Sequence, residues 1–144
     1  MASFDDSSSI SPVIALAVTT VSDNTAQVGA IIDTNDFESF TYYVLTDTLA
    51  DADATFATTF REGDDSGLSD GTAVSTDDLV GNADFDFNDD DSIKQIGYVG
   101  KKRFVEMTIT PSNNSSAATF PTSKKVVPDT PKTEVNAPVV EIAC

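Results

Sequence analysis

The chain has 144 residues, 40% of them hydrophobic, with 24 acidic side chains against eight basic ones and a formal net charge of −16. This length suffices for a single domain that buries its own core without metal or disulfide support. There is no histidine, and the one cysteine is Cys144; histidine-based catalysis, histidine metal sites and an intrachain disulfide are thereby excluded.

Residues 1–11 are rich in Ser and Asp and read as a flexible N-terminal arm. The opening lacks a basic n-region, and its apolar run, Pro12 to Val18, is too short for a signal peptide or a membrane span. Pro12 to Val21 reads as the first strand and Gln27 to Ile32 as the second, with Val28 and Ile31 as core candidates. Ser39 to Thr46 is a strongly β-forming run: Phe40, Tyr42 and Val44 share one face, Tyr43 and Leu45 the other, as in a central strand. Asp47 to Ala54 is a loop or one helical turn, and Thr55 to Arg61 a strand anchored by Phe56 and Phe60.

An acidic, turn-rich loop follows from Glu62 to Gly71, then a short strand at Thr72–Ser75. Thr76 to Gly81 is a connector whose Leu79 plugs one end of the core. Ala83 to Phe87 alternates, with Phe85 and Phe87 inward. Ser92 to Thr110 reads as two strands joined by a glycine-containing turn, Val105, Met107 and Ile109 supplying a buried face with a period of two. A last strand spans Ala118 to Val127. No segment of ten residues carries a capped helical period. Short β runs punctuated by Gly, Asn and Asp predict an all-β fold: one β-sandwich over residues 12–127, of jelly-roll or immunoglobulin-like type. Residues 128–144 form an extended tail, with Val135, Val139, Val140 and Ile142 as its apolar anchors if it lies along a partner.

Charge is uneven. Residues 1–93 carry 20 acids and one base, Arg61, whereas residues 94–144 carry four acids and seven bases. The acidic part repels nucleic acid and anionic membranes, so neither is an expected partner. Solubility in a salty medium is one reading of this asymmetry; the other is that the acidic face is the outer one and the basic part docks onto a partner. Against this background the basic tip Lys101-Lys102-Arg103 stands out. Surface lysines guard a sheet edge against aggregation; alternatively, the tip meets an acidic partner or a neighbouring copy's acidic loop. Arg103 is expected to pair internally with the Glu62–Asp65 loop.

The run Asp84 to Asp91 opens like a calcium loop, with oxygens at alternate positions. However, Asp89 stands where the sharp-turn glycine belongs and Gln95 where the closing glutamate belongs. A solvated acidic turn is the simpler reading, and no metal or other cofactor is expected. The many Ser and Thr residues have no histidine to activate them, and no phosphate-cradling glycine loop follows a strand. The chain is therefore expected not to be an enzyme.

Four runs in fixed order carry a resemblance: IDTNDFESFTYYVL (Ile32–Leu45), FREGDDSG (Phe60–Gly67), DDLVG (Asp77–Gly81) and IKQIGYVGKKRFVEMTIT (Ile93–Thr110). Together they resemble a group of small structural proteins of tailed bacteriophages whose genes neighbour the major capsid gene. Glu106 departs from that pattern, which often has a basic residue there, and the tail lacks the family's common ending. The resemblance implies a non-enzymatic virion protein made in the host cytoplasm, most simply a capsid decoration (cement) protein on the head. Its partners would be the major capsid protein and further copies of itself, with Lys101, Lys102, Val135, Val139, Val140 and Ile142 as contact residues. A head–tail connector or tail component is the alternative. A fainter similarity of the acidic turn and KRFV run to discoidin-like carbohydrate-binding sandwiches supplies a third, a module that binds glycans or a host surface.

Overall fold

The computed structural model describes residues 11–35 and 37–128. Among these described residues eleven strands follow in chain order: β1 (Val13–Val21), β2 (Gln27–Val28), β3 (Ile32–Asp33), β4 (Phe37–Leu45), β5 (Thr55–Gly63), β6 (Thr72–Ala73), β7 (Leu79–Asn82), β8 (Phe85–Asp86), β9 (Ile93–Tyr98), β10 (Phe104–Ser112) and β11 (Ala118–Pro128). They build two antiparallel sheets. The first runs β1-β11-β4-β9-β7; the second runs β2-β10-β5-β6, with β3 also along β10 and β8 along β5. The fold is an all-β sandwich, and β4 is the middle strand of its sheet.

Alternation along the long strands explains the core. Phe40, Tyr42 and Val44 of β4 share the inner face with Ile96 and Tyr98 of β9. Opposite them, β10 contributes Val105, Met107 and Ile109, and β5 contributes Phe56 and Phe60. Each of these ten side chains is buried, and full burial of one such group stabilises by about 1.5–3 kcal/mol. The sheets meet directly where the rings of Tyr42 and Phe60 lie 5.3 Å apart between centroids.

The stretch Ser92–Thr110 corrects its sequence reading. Its strands are not a hairpin: β9 pairs with β4 and β7 in one sheet, and β10 pairs with β5, β2 and β3 in the other. The buried face at Val105, Met107 and Ile109 is as expected, but Val99–Arg103 is an arch from sheet to sheet. Alternation reports that a strand has one buried face and is silent about which strand lies beside it. Packed sheets are separated by about 10 Å, a gap that five residues bridge.

Smaller corrections share this cause. Val28 is 57% exposed, and the buried residue of its segment is Ile32. Phe85 is buried against Phe56, their rings stacked 4.7 Å apart, whereas Phe87 turns outward at 41% exposure. The reason is local: Asp86 caps a 3-10 turn over Phe87–Asp89, which breaks the alternation after Phe85. Thr76–Asp78 is likewise a 3-10 turn, capped by Ser75, and leads into β7 where only a connector was expected. Leu79 packs against the core as predicted. Asp47–Ala54 is a loop, held by a bridge between buried Leu49 and Ala118 and ending in one turn closed by the Ala54 N–H donating to Asp51 O at 3.2 Å.

One side seam of the sandwich is closed by backbone. The Gly29 N–H donates to Met107 O at 2.8 Å, and the Ala30 N–H donates to Ala15 O at 2.6 Å, joining the β2–β3 segment to β1. A Cβ at Gly29 would stand 2.8 Å from Ala15 O and 3.0 Å from Met107 O. Both obstacles are backbone atoms, so this close approach requires glycine. The sandwich thus spans the described residues from β1 to β11. The arm, apart from Ser11, and the tail beyond Pro128 lie outside them.

Candidate functional site

The arch Val99–Arg103 is the candidate contact site, and its shape follows from Tyr98. The Tyr98 ring is buried at the end of the core, and Gly100 lies directly over it: a Cβ there would sit 2.5 Å from the ring. The Tyr98 hydroxyl donates to the Glu62 carboxylate of β5 and accepts from the Lys102 N–H at 3.1 Å. Burial, followed by the hydrogen bond to Glu62, pushes the Tyr98 hydroxyl far above its ordinary pKa, so it remains a neutral donor. This polar link joins the two sheets and fixes where the arch emerges.

Two of the three tip cations are already paired. Lys102 Nζ lies 2.5 Å from Asp64, a contact that raises the Lys102 pKa. Arg103 grips Asp33 with two parallel bonds, Nε to Oδ1 at 2.9 Å and Nη2 to Oδ2 at 2.8 Å, and its guanidinium lies 5.0 Å over the Phe104 ring. Internal pairing of Arg103 was expected, but with the Glu62–Asp65 loop. Lys102 takes that loop instead, because β3 lies along β10 and delivers Asp33 to Arg103. Thr34 completes the lock, its hydroxyl donating to Arg103 O at 2.9 Å and its N–H to the same oxygen at 2.7 Å. Lys101 is exposed and has no ion pair among the described residues. An open groove of about 290 Å³ lies beside it, bordered by Thr34, Asn35 and Phe37. Of the predicted contact residues, Lys101 is thus available, Lys102 is engaged, and Val135, Val139, Val140 and Ile142 lie outside the described residues.

The acidic run Asp84–Asp91 is divided among local tasks. Asp84 accepts from the Thr58 N–H and hydroxyl at 2.7 and 2.9 Å. Asp86 and Asp89 form a capping box over the 3-10 turn. Lys94, 2.7 Å from Asp89, holds that carboxyl below its usual range, and Asp90 accepts from the Leu49 N–H at 2.6 Å. Each of these carboxylates is thus engaged by local partners of its own. Among the described residues, no three or more acidic, histidine or cysteine side chains converge on a metal position.

The preceding loop is organised in the same way. Asp70 accepts from the Asp64 and Asp65 N–H groups, and Asp65 from those of Gly67 and Ser69. Leu68, at φ +54°, is buried at its centre beside Gly63.

Fold and site together define an acidic all-β sandwich whose basic arch is largely neutralised by its own neighbouring carboxylates. Compared with protein-family models, curated proteins and solved structures, the chain matches none.

Proposed function

We propose that this chain is a non-enzymatic capsid decoration protein of a tailed bacteriophage, binding the outer surface of the assembled head and stabilising neighbouring capsomers. The observation that carries the reading is the ordered set of four runs that resemble such virion proteins. They fall on β3–β4, on β5 and its loop, on the end of the 3-10 turn and most of β7, and on β9–arch–β10, so the resemblance covers core-forming strands and not only surface loops. The physical logic is mass action: a protein that binds only the assembled lattice stabilises it by its binding free energy. Many symmetric copies make a modest contact sufficient. In this reading the tail residues Val135, Val139, Val140 and Ile142 supply the main grip, Lys101 an orienting contact, and the acidic loops face outward.

A glycan-binding module would present an aromatic platform, but Phe87 alone is more than a third exposed among the described aromatic side chains. A head–tail connector differs from a decoration protein in copy number, about a dozen against hundreds per virion. The test is to mix purified protein with expanded empty capsids and measure co-sedimentation and shell melting. Saturable binding with a raised shell melting temperature is expected. Capsids that neither bind the protein nor gain thermal resistance would remove the proposal.

A further inference from the structure

We infer that the flank formed by β1 and β2 is a self-association surface on which a second copy of this chain packs. Among the described residues, eight large apolar side chains are exposed, and four of them, Val13, Ile14, Val18 and Val28, belong to these two strands. Val28 is ten residues from Val18 in sequence. The Ala30–Ala15 bond folds the β2–β3 segment back along β1 and brings Val28 to the edge that Ile14 and Val18 occupy, whereas Val13, in register with Lys124 beside the Ile14–Ser123 pair, faces the other way across the strand. Ile14, at 68%, is the most exposed of the eight.

Charge favours a second copy as the occupant. Residues 7–22 contain no charged residue, and between residues 11 and 32 the single charge is Asp23, in the turn beyond β1. The strand beside β1 brings a lysine position, Lys124 opposite Val13, and no acid. On a chain of net charge −16, most self-contacts would set carboxylate against carboxylate. This flank is where two copies can meet without that repulsion, and a two-fold axis places the same apolar patch on both sides. A cationic partner would instead find its complement on the acidic loops. The contact is side-chain packing and not strand addition. β1 carries register irregularities against β11 between Ile14 and Leu16 and between Leu16 and Thr19, and such bulges twist an edge away from further ladder pairing.

The test is sedimentation velocity of the full-length protein from micromolar to millimolar concentration, at low and high NaCl. The wild type should show a monomer–dimer equilibrium that strengthens with salt, since screening removes long-range repulsion while apolar packing persists. The double variant Ile14→Glu/Val18→Glu should keep its circular dichroism and thermal melt but bind itself at least about a hundredfold more weakly, as buried unpaired charges demand. Val80→Glu/Ile93→Glu, exposed residues of the opposite flank, should dimerise as the wild type does. Three results would overturn the inference: a wild type monomeric at every concentration, a dimer that weakens with salt, or a dimer indifferent to the β1 charges. A monomeric wild type that dimerises only as Val139→Glu/Val140→Glu would show that the chain's own C-terminal segment occupies the flank, and would overturn it too. Capsid binding is a separate measurement, so a monomer that binds heads sinks only this inference, and a dimer that ignores heads sinks only the decoration role.

Discussion

Tyr98, on the last residue of β9, donates its hydroxyl to Glu62 on β5, joining the two sheets by one polar contact at the end of the core. Because the same hydroxyl accepts from the Lys102 N–H, a single buried side chain both links the two sheets and holds the basic arch where it leaves β9. Tyr98→Phe removes this donor and leaves a partly buried carboxylate without it. A loss of about 1–3 kcal/mol in urea unfolding is expected. Glu62→Gln, which keeps an acceptor for the hydroxyl, should cost less. A Tyr98→Phe variant as stable as the wild type would mean that the hydroxyl contributes little to the link.

The side seam makes a second prediction. At Gly29 a methyl group would press on two backbone oxygens, whereas at Gly97 the nearest atoms to a Cβ are 3.8 Å away. Gly29→Ala should therefore destabilise by roughly 1–3 kcal/mol through overpacking, and Gly97→Ala should be close to neutral. Equilibrium denaturation of both variants checks the contrast.

Phe85 and Phe87 look alike in sequence and differ in the fold. Phe85→Ala should cost roughly 3–5 kcal/mol, and Phe87→Ala less than about 1 kcal/mol. Similar losses at both sites would contradict the turn that faces Phe87 outward.

Stability should fall in acid. The Asp51 carboxyl is held below its ordinary pKa by the Ser115 hydroxyl and N–H, Asp65 chiefly by the Ser69 and Gly67 N–H groups, Asp70 by the Asp64 and Asp65 N–H groups, and Asp89 by Lys94. A carboxyl whose folded pKa is depressed contributes stability above its unfolded value of 3.8, and that contribution is lost as pH falls through the lower folded value. Above this window, protonation of other acids relieves the −16 repulsion and works in the opposite sense. The melting temperature should therefore hold or rise from about pH 7 to about pH 5, then drop by about pH 3. Asp70→Asn should shrink that final drop. A melting temperature still rising at about pH 3 would show that repulsion outweighs these local bonds.

Much of the candidate site was legible as residue types and illegible as charge. Lys101, Lys102 and Arg103 were visible as a basic cluster, but its partners, Asp64 and Asp33, lie 38 and 70 residues from the cations they neutralise. The apolar flank was harder still. Val28 reads as a core residue by composition, and its place beside β1 depends on the Ala30–Ala15 bond and on glycine at position 29.

By itself the sequence determined the class of fold and most of its buried faces, because alternation at Phe40-Tyr42-Val44 and Val105-Met107-Ile109 is a local property of extended chain. It determined, too, where the chain turns, since Gly, Asn and Asp act within a few residues of themselves. Tertiary structure alone decided that β9 and β10 belong to opposite sheets, that the basic arch spans them, and which carboxylates lie against it. Those are pairings between distant segments, chosen by the fit of whole faces across a core, and no local period encodes them.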